Sequence, residues 1–196
     1  MKKRTNTRKL TSIAMLSAVS TVLMFFSFNV PLMPSFIKMD LSELPALLAA
    51  FTFGPMSGVA VCFIKNLINV FFTTTGGVGE VSNFLLGSMF VAPAGFIYQK
   101  MRTKKGAVIA SVIGAATMAG LSLITNYYIV YPVYTNIMPM EVIIGAYSAI
   151  NPNVTNLWQA LLWFNVPFTF IKGMVSVVIT MLIYKPLAPI LRGKNH

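Results

Sequence analysis

Six apolar segments, separated by stretches that carry charges, glycines or prolines, occupy most of this 196-residue chain. An α-helix needs about 20 apolar residues to cross the hydrocarbon core of a bilayer. Backbone groups inside a bilayer must also be satisfied within the chain, which a helix achieves by itself. The sequence therefore predicts an all-α integral membrane protein with six transmembrane helices. The predicted helices are residues 10–28, 41–53, 56–72, 81–98, 106–130 and 157–184.

Charged side chains are scarcer in this sequence than in an ordinary soluble domain, which supports an integral membrane protein. They make up 10% of the residues, whereas a soluble domain has about 25%. The basic residues lie mostly between the apolar segments, so no nucleic-acid partner is indicated. With Cys62 as the single cysteine and His196 as the single histidine, we expect no metal site. We expect residues 1–196 to form one transmembrane domain, with a retained N-terminal helix.

The distribution of the basic residues predicts the orientation in the membrane. An even number of helices places both termini on one side, and twelve of the 15 lysines and arginines fall on that side. Cytoplasmic segments of membrane proteins are enriched in lysine and arginine. Both termini are therefore predicted to be cytoplasmic. The twelve are Lys2, Lys3, Arg4, Arg8, Lys9, Lys100, Arg102, Lys104, Lys105, Lys185, Arg192 and Lys194.

Two lysines, Lys65 and Lys172, fall inside predicted helices. A charge in hydrocarbon costs several kcal/mol and usually faces a polar cavity. Both lysines are predicted to lie in the outer half of the membrane, where all four acidic residues also lie. We therefore expect a polar pocket that opens outward. The acidic residues are Asp40, Glu43, Glu80 and Glu141.

Asp40, Glu43 and Lys65 each allow two interpretations. The two carboxylates favour a helix N-terminus through the macrodipole, with Ser42 as the N-cap residue. Alternatively, one carboxylate pairs with Lys65 or Lys172 and holds it for a ligand. Lys65 itself could form an interhelical ion pair or contact a ligand directly.

Further candidates lie near the same predicted end of the bundle. Asn83 follows a glycine-rich loop and either belongs to helix capping or to the pocket. Asn126 carries a donor and an acceptor on one amide, which suits a heterocycle edge; the alternative is a bond to the backbone at a helix end. The connection of residues 131–156 exceeds the usual loop length and is either a lid or disordered.

Ala14 and Ala18 form a small-xxx-small pair in the first predicted helix. Such pairs allow close approach of another helix, either within the bundle or in a partner. No phosphate-binding loop of the G-x-x-x-x-G-K-[ST] type occurs, so ATP hydrolysis by that route is not expected. The absence of a catalytic triad or metal motif argues against an enzyme. If the chain moves a solute actively, a partner or an ion gradient supplies the energy.

The ordered set of motifs resembles the riboflavin-specific substrate-binding (S) component of energy-coupling factor (ECF) vitamin transporters. The resemblance covers essentially the whole chain. Each motif is modest alone, and their order on six helices is what makes the set specific. The motifs are Ala14-x-x-x-Ala18, Asp40-Leu-Ser-Glu43-Leu-Pro, Phe53-Gly-Pro, Ile64-Lys-Asn, Asn83-Phe, Asn126-Tyr and Pro167-Phe-Thr-Phe-Ile-Lys-Gly.

The resemblance implies a high-affinity riboflavin-binding protein of the bacterial cell membrane, embedded in the lipid bilayer. It also implies association with a transmembrane coupling subunit and two ATP-binding subunits, with Ala14 and Ala18 at that contact. Riboflavin would be the transported ligand, and no cofactor is expected. The expected substrate-binding residues are Asp40, Leu41, Glu43, Lys65, Asn83, Asn126, Thr169 and Lys172.

One position departs from the family pattern. The family has an asparagine in the Pro-Phe-Asn-x-x-Lys run where this chain has Thr169, and nearby Asn165 could compensate. Two alternatives stay open. The ligand could be another vitamin or flavin mononucleotide, since Lys65 and Lys172 could both face a phosphate. The chain could also be a self-sufficient secondary transporter.

Overall fold

A computed structural model describes residues 2–73 and 75–192 of the chain, with side chains over 7–73 and 75–184. Helices dominate this part of the chain. A 3₁₀ turn, Val70–Phe72, extends the helix Pro55–Asn69, and two π-helical segments, Asn126–Val130 and Leu161–Asn165, follow the helices Lys104–Thr125 and Leu157–Ala160. The helices are α1 Lys2–Phe25, α2 Glu43–Phe53, α3 Pro55–Asn69, α4 Val78–Lys100, α5 Lys104–Thr125, α6 Tyr131–Tyr134, α7 Met140–Ser148, α8 Leu157–Ala160 and α9 Val166–Arg192.

Within the described residues, five stretches are long and apolar enough to cross a membrane, and α2 is not among them. The 11 residues of α2 rise about 16 Å, against a hydrocarbon core of about 30 Å. The prediction of a helical membrane protein is confirmed. A sixth crossing and the side of the termini stay predictions, and Lys194 of the basic tail lies outside the described residues. The five stretches are Thr7–Phe25, Pro55–Phe72, Val78–Lys100, Lys104–Tyr134 and Leu157–Tyr184.

The short helix α2 lies at the centre of the bundle. It is apolar on all sides, as expected for a buried helix, and it packs against α1, α3, α4 and α9. The side chains from Glu43 to Phe51 are all buried. Glycine allows α3 to approach closely, because a Cβ added at Gly58 would lie 2.7 Å from the carbonyl oxygen of Ala46.

The first predicted helix, residues 10–28, ends earlier than expected, at Phe25. The chain leaves the helix there because Phe28–Asn29 (β1) pairs antiparallel with Lys38–Met39 (β2), with Phe28 opposite Met39. This short ladder closes the loop between α1 and α2. It places Asp40 directly before α2, at the edge of the candidate site.

The connection of residues 131–156 is folded, so the interpretation as a disordered segment is wrong. It contains α6 and α7, and it contributes to a second apolar cluster around Ile143 and Tyr147, both fully buried. A long connection with its own buried core is compatible with a lid. The lid itself remains a prediction.

Candidate functional site

A cavity of about 640 Å³ lies at the end of the bundle opposite the α4–α5 turn. Its size is typical of sites for small organic molecules, which range over about 300–1,000 Å³. Its described lining comes from the α1–α2 loop, the first turns of α4, the end of α5 and the start of α9. Of the eight predicted substrate-binding residues, six line it: Asp40, Glu43, Asn83, Asn126, Thr169 and Lys172.

A cluster of two lysines and two carboxylates lies at one side of the cavity. Lys172 Nζ donates to Asp40 Oδ2 at 2.9 Å and lies 3.5 Å from Glu43 Oε2. Lys65 Nζ donates to Glu43 Oε1 at 3.0 Å. The formal charges of these four side chains cancel. Pairing of this kind is what makes buried charges tolerable.

Lys65 and Leu41 do not line the cavity. The Lys65 side chain is 0% exposed, and Glu43 lies between it and the cavity side of the cluster, paired with both lysines. Lys65 therefore forms the interhelical ion pair that the sequence allowed. Leu41 is half-buried beside the cluster. Within the ion cluster, only Asp40, Glu43 and Lys172 are placed to meet a ligand.

Ser42 organises the cluster, and its expected role as a capping side chain is wrong. It occupies the N-cap position of α2, but its hydroxyl makes no capping hydrogen bond. Instead the hydroxyl donates to Asp40 Oδ1 and accepts from Lys65 Nζ. The Ser42 backbone N–H donates to the same Asp40 oxygen at 2.9 Å. Serine and aspartate commonly form such local bonds where a helix begins.

The Asp40 carboxylate is ionised over the physiological pH range. Burial alone would raise its pKa, but Lys172 and then Lys65 favour the charged form, and the hydrogen bonds from Ser42 and Lys172 add to this effect. The pKa of Asp40 is therefore held well below its usual range. A stable negative charge in the wall keeps the Lys172 ammonium group in place.

The predicted amides lie on two neighbouring helices. Ser82 Oγ donates to Asn126 Oδ1 at 3.5 Å, and Lys65 Nζ lies 3.4 Å from Asn83 Oδ1. Asn126 does not end its helix, because the chain continues into the π-helical segment that begins there. Single-turn π-helical insertions occur frequently at functional sites. The Asn126 side chain reaches across to α4 and lines the cavity.

Asn165 does not line the cavity, so it is not placed to compensate for Thr169. Its Oδ1 accepts from Tyr147 OH at 2.6 Å, and its Nδ2 donates to Tyr131 OH at 3.2 Å. The two tyrosine hydroxyls lie 2.5 Å apart. This buried triangle fixes the connection against the start of α9.

The expected substrate-binding residues did not include Glu80 or any aromatic residue of the cavity wall. Glu80 lines the cavity, and its Oε2 accepts from Thr73 at 2.8 Å and from Thr75 at 3.2 Å. Two features of the sequence pointed to Glu80: it is one of four acidic residues in the chain, and it directly follows a glycine-rich loop. The aromatic side chains that line the cavity are Phe25, Phe36, Phe72, Tyr131, Tyr134 and Phe168.

The α1–α2 loop and the connection meet over the cavity. The Phe36 ring centroid lies 6.0 Å from that of Tyr134 and 5.9 Å from that of Tyr147. On the other side, a Cβ added at Gly76 would lie 2.9 Å from Ile137 Cδ1. The connection therefore contacts both the α1–α2 loop and the α3–α4 loop, as expected of a segment that covers the cavity.

Ala14 and Ala18 lie on the exposed side of α1. They do not pack inside the bundle, so that interpretation of the small-residue pair is wrong. Their exposed face is open to lipid or to a partner. Among the described residues, no group of three or more His, Cys, Asp or Glu side chains is placed to hold a metal.

Comparison with known proteins gives a consistent result. The family model of the ECF transporter, substrate-specific component, matches residues 8–184. The riboflavin transporter RibU of Staphylococcus aureus (strain TCH60) is 35% identical over 185 residues, which are 94% of this chain and 93% of the relative. The riboflavin transporter FmnP of Bacillus subtilis (strain 168) is 32% identical over 185 residues, 93% of each chain.

A solved structure agrees with the sequence relatives. It is described as the S component of a bacterial ECF transporter, with a TM-score of 0.76 and 33% sequence identity. The match covers 95% of this chain and 98% of the solved chain. The resemblance drawn from the motifs is confirmed, and the chain is a multi-pass bacterial membrane protein. It belongs to the family of substrate-specific components of ECF transporters.

Proposed function

We propose that this protein binds riboflavin in the membrane as the substrate-binding subunit of an ATP-driven ECF importer. The observation that carries the proposal is the 640 Å³ cavity, which brings six predicted site residues together in a chain whose relatives are riboflavin transporters. The chain acts as a binding subunit and not as an enzyme.

The chemistry of the lining fits the parts of riboflavin. The flavin ring is flat and largely apolar, and aromatic side chains such as Phe36 and Tyr131 offer it a matching wall. The ring also has a uracil-like edge, to which the Asn126 amide can both donate and accept. Lys172 and Thr169 can donate to oxygens of the ring or of the polyol tail. An apolar site with a few placed polar groups is usual for such ligands.

The charges favour riboflavin over flavin mononucleotide. Three carboxylates and two ammonium groups line the described cavity. A phosphate ester carries about −1.5 to −2 charges at pH 7 and would meet a wall with no excess of positive charge. Lys172 is already paired with Asp40, and Lys65 is buried behind Glu43. The charged lining residues are Lys38, Asp40, Glu43, Glu80 and Lys172.

The energy for import comes from partner subunits. The chain lacks a phosphate-binding loop, so ATP hydrolysis falls to two ATP-binding subunits linked through a transmembrane coupling subunit. The exposed Ala14 and Ala18 supply a surface on which the coupling subunit can approach closely. With both termini in the cytoplasm, the cavity opens to the outside, and riboflavin is taken up there before release inside.

A ligand series tests the proposal. The purified protein is titrated with riboflavin, flavin mononucleotide and thiamine, with flavin fluorescence as the signal and competition against riboflavin for thiamine. We expect saturable quenching by riboflavin, at least about tenfold weaker binding of the mononucleotide, and no competition by thiamine. The proposal is overturned if neither riboflavin nor flavin mononucleotide shows fluorescence quenching.

A second test separates a binding subunit from a secondary transporter. Vesicles that contain only this chain, with a proton gradient imposed, are expected to bind riboflavin but not to accumulate it. Gradient-driven accumulation by the chain alone contradicts the dependence on ATP-binding partners.

A further inference from the structure

Ser20 is a buried serine of α1 whose hydrogen bond leaves its own helix. Its side chain is 0% exposed, and its Oγ donates to the backbone carbonyl oxygen of Ser42 at 2.5 Å. The bond joins the C-terminal part of α1 to the N-cap residue of α2, 22 residues further along the chain. Hydrogen bonds between membrane helices stabilise the packing of one helix against another.

Neighbouring hydroxyls of α1 behave differently. Ser17 Oγ donates to the Ile13 carbonyl at 2.8 Å, and Thr21 Oγ1 donates to the Ser17 carbonyl at 2.9 Å. Both bonds stay within α1, where they satisfy the hydroxyl without linking it to another element. Ser17 is also buried, at 1% exposed, and so provides a matched comparison for Ser20.

The acceptor of the Ser20 bond is the residue that organises the ion cluster. The amide and hydroxyl of Ser42 both donate to Asp40 Oδ1, and its hydroxyl accepts from Lys65. The other Asp40 oxygen accepts from Lys172 at 2.9 Å. Hydrogen bonds on either side of the Ser42 backbone therefore link Ser20 to Asp40, and through Asp40 to Lys172.

The two ends of this series differ in their access to a ligand. Asp40 and Lys172 line the cavity, whereas Ser20 and Ser42 do not. Any effect of Ser20 on binding is thus indirect and depends on where it holds the Ser42 backbone. A shift of that backbone moves the donors that fix the Asp40 carboxylate, and with it the position of the Lys172 ammonium group.

We propose that Ser20 is a positioning residue for the ligand site, which it controls through Ser42 and Asp40. This inference rests on the proposed riboflavin function.

The first test compares Ser20→Ala with Ser17→Ala in the full-length protein. Riboflavin affinity and dissociation rate are measured by fluorescence, and the melting temperature is measured without ligand. We expect Ser20→Ala to weaken binding about tenfold through faster dissociation, and Ser17→Ala to change it by less than roughly twofold. Equal effects of the two variants on binding, or no effect of either, overturn the assignment.

The second test needs no ligand. Melting temperatures are compared for the wild type, Ser20→Ala, Asp40→Asn and the double variant. Both residues act through Ser42. The decrease in melting temperature caused by Ser20→Ala should therefore be less than about half as large in the Asp40→Asn background as in the wild type. Equal shifts in the two backgrounds overturn the inference. Should the wild type bind no riboflavin, the proposed function fails, and this cycle still decides whether Ser20 acts on Asp40.

Discussion

Lys172 and Asp40 are 132 positions apart in the sequence, yet Lys172 Nζ donates to Asp40 Oδ2 at 2.9 Å in the wall of the cavity. This pair joins the start of α9 to the loop before α2. Glu43 Oε2 lies 3.5 Å from the same ammonium group, and Glu43 Oε1 also pairs with Lys65. The four side chains of this ion cluster therefore balance in charge, and the balance can be changed one group at a time.

Removal of the Lys172 ammonium group should weaken riboflavin binding strongly. In Lys172→Ala, two carboxylates remain in the wall without their shared cation, and a donor to the ligand is lost. We expect a loss of affinity of about 30-fold or more, since truncation of one partner of a buried pair costs about 2–5 kcal/mol. Lys100→Ala, at the exposed far end of α4, is the control in a fluorescence titration. Similar losses in both variants would reject the placement of Lys172 at the ligand.

The buried pair of Lys65 and Glu43 should affect stability more than it affects ligand contact. In Lys65→Met, the buried Glu43 carboxylate loses one of its two positively charged partners. We expect the free energy of unfolding to fall by about 3 kcal/mol and the melting temperature to fall by roughly 6–12 °C. The double variant Lys65→Met/Glu43→Gln leaves the pair of Asp40 and Lys172 intact. It should be more stable than Lys65→Met alone in thermal unfolding without ligand. The pairing would be contradicted if the double variant lowered the melting temperature by the sum of the decreases in the two single variants.

The lowered pKa of Asp40 predicts a specific pH dependence. An aspartate in an unfolded chain has a pKa of about 3.9, and the folded protein holds the pKa of Asp40 below this value. The stabilisation by its charge is therefore complete above about pH 4 and is lost as the pH falls towards the folded-state pKa. The difference in melting temperature between wild type and Asp40→Asn should be constant from pH 7 to pH 5 and shrink below pH 4. A difference that shrinks between pH 7 and pH 6 would assign the effect to another group.

The exposed small residues of α1 should affect transport without affecting binding. Ala14→Trp or Ala18→Trp places a bulky side chain where a partner helix is expected to approach, and both positions point away from the bundle. We expect riboflavin binding to be retained and ATP-dependent uptake by cells with the complete transporter to be lost. Val178→Trp, on the exposed side of α9, should leave both intact. Loss of binding in the α1 variants would place these alanines in the support of the ligand site.

The sequence predicted the membrane class, the family and the main polar residues because these depend on local patterns. Apolar length identifies helices, and the cost of a charge in hydrocarbon singles out Lys65 and Lys172. It did not predict which carboxylate joins which lysine, because that choice depends on helix contacts more than 20 residues apart. Among the side chains that the structure describes, Glu43 is shared by both lysines, whereas Asp40 pairs only with Lys172.

Other features had no clear signal in the sequence. Ser20 is one of several hydroxyls in an apolar helix, and only the fold shows that its bond crosses to Ser42. The π-helical segments at Asn126 and Leu161 depend on tertiary packing that overrides the ordinary helical pattern. The length of α2 was visible, but its central position was not, since any apolar segment of 11 residues can lie buried or at a membrane surface.

Equilibrium dialysis of riboflavin against the wild-type protein, reconstituted in lipid without any other subunit, tests the central claim most directly. Binding that saturates at about one riboflavin per chain, with an affinity at least about tenfold above that for flavin mononucleotide, is the predicted result. The absence of saturable riboflavin binding under these conditions would contradict it.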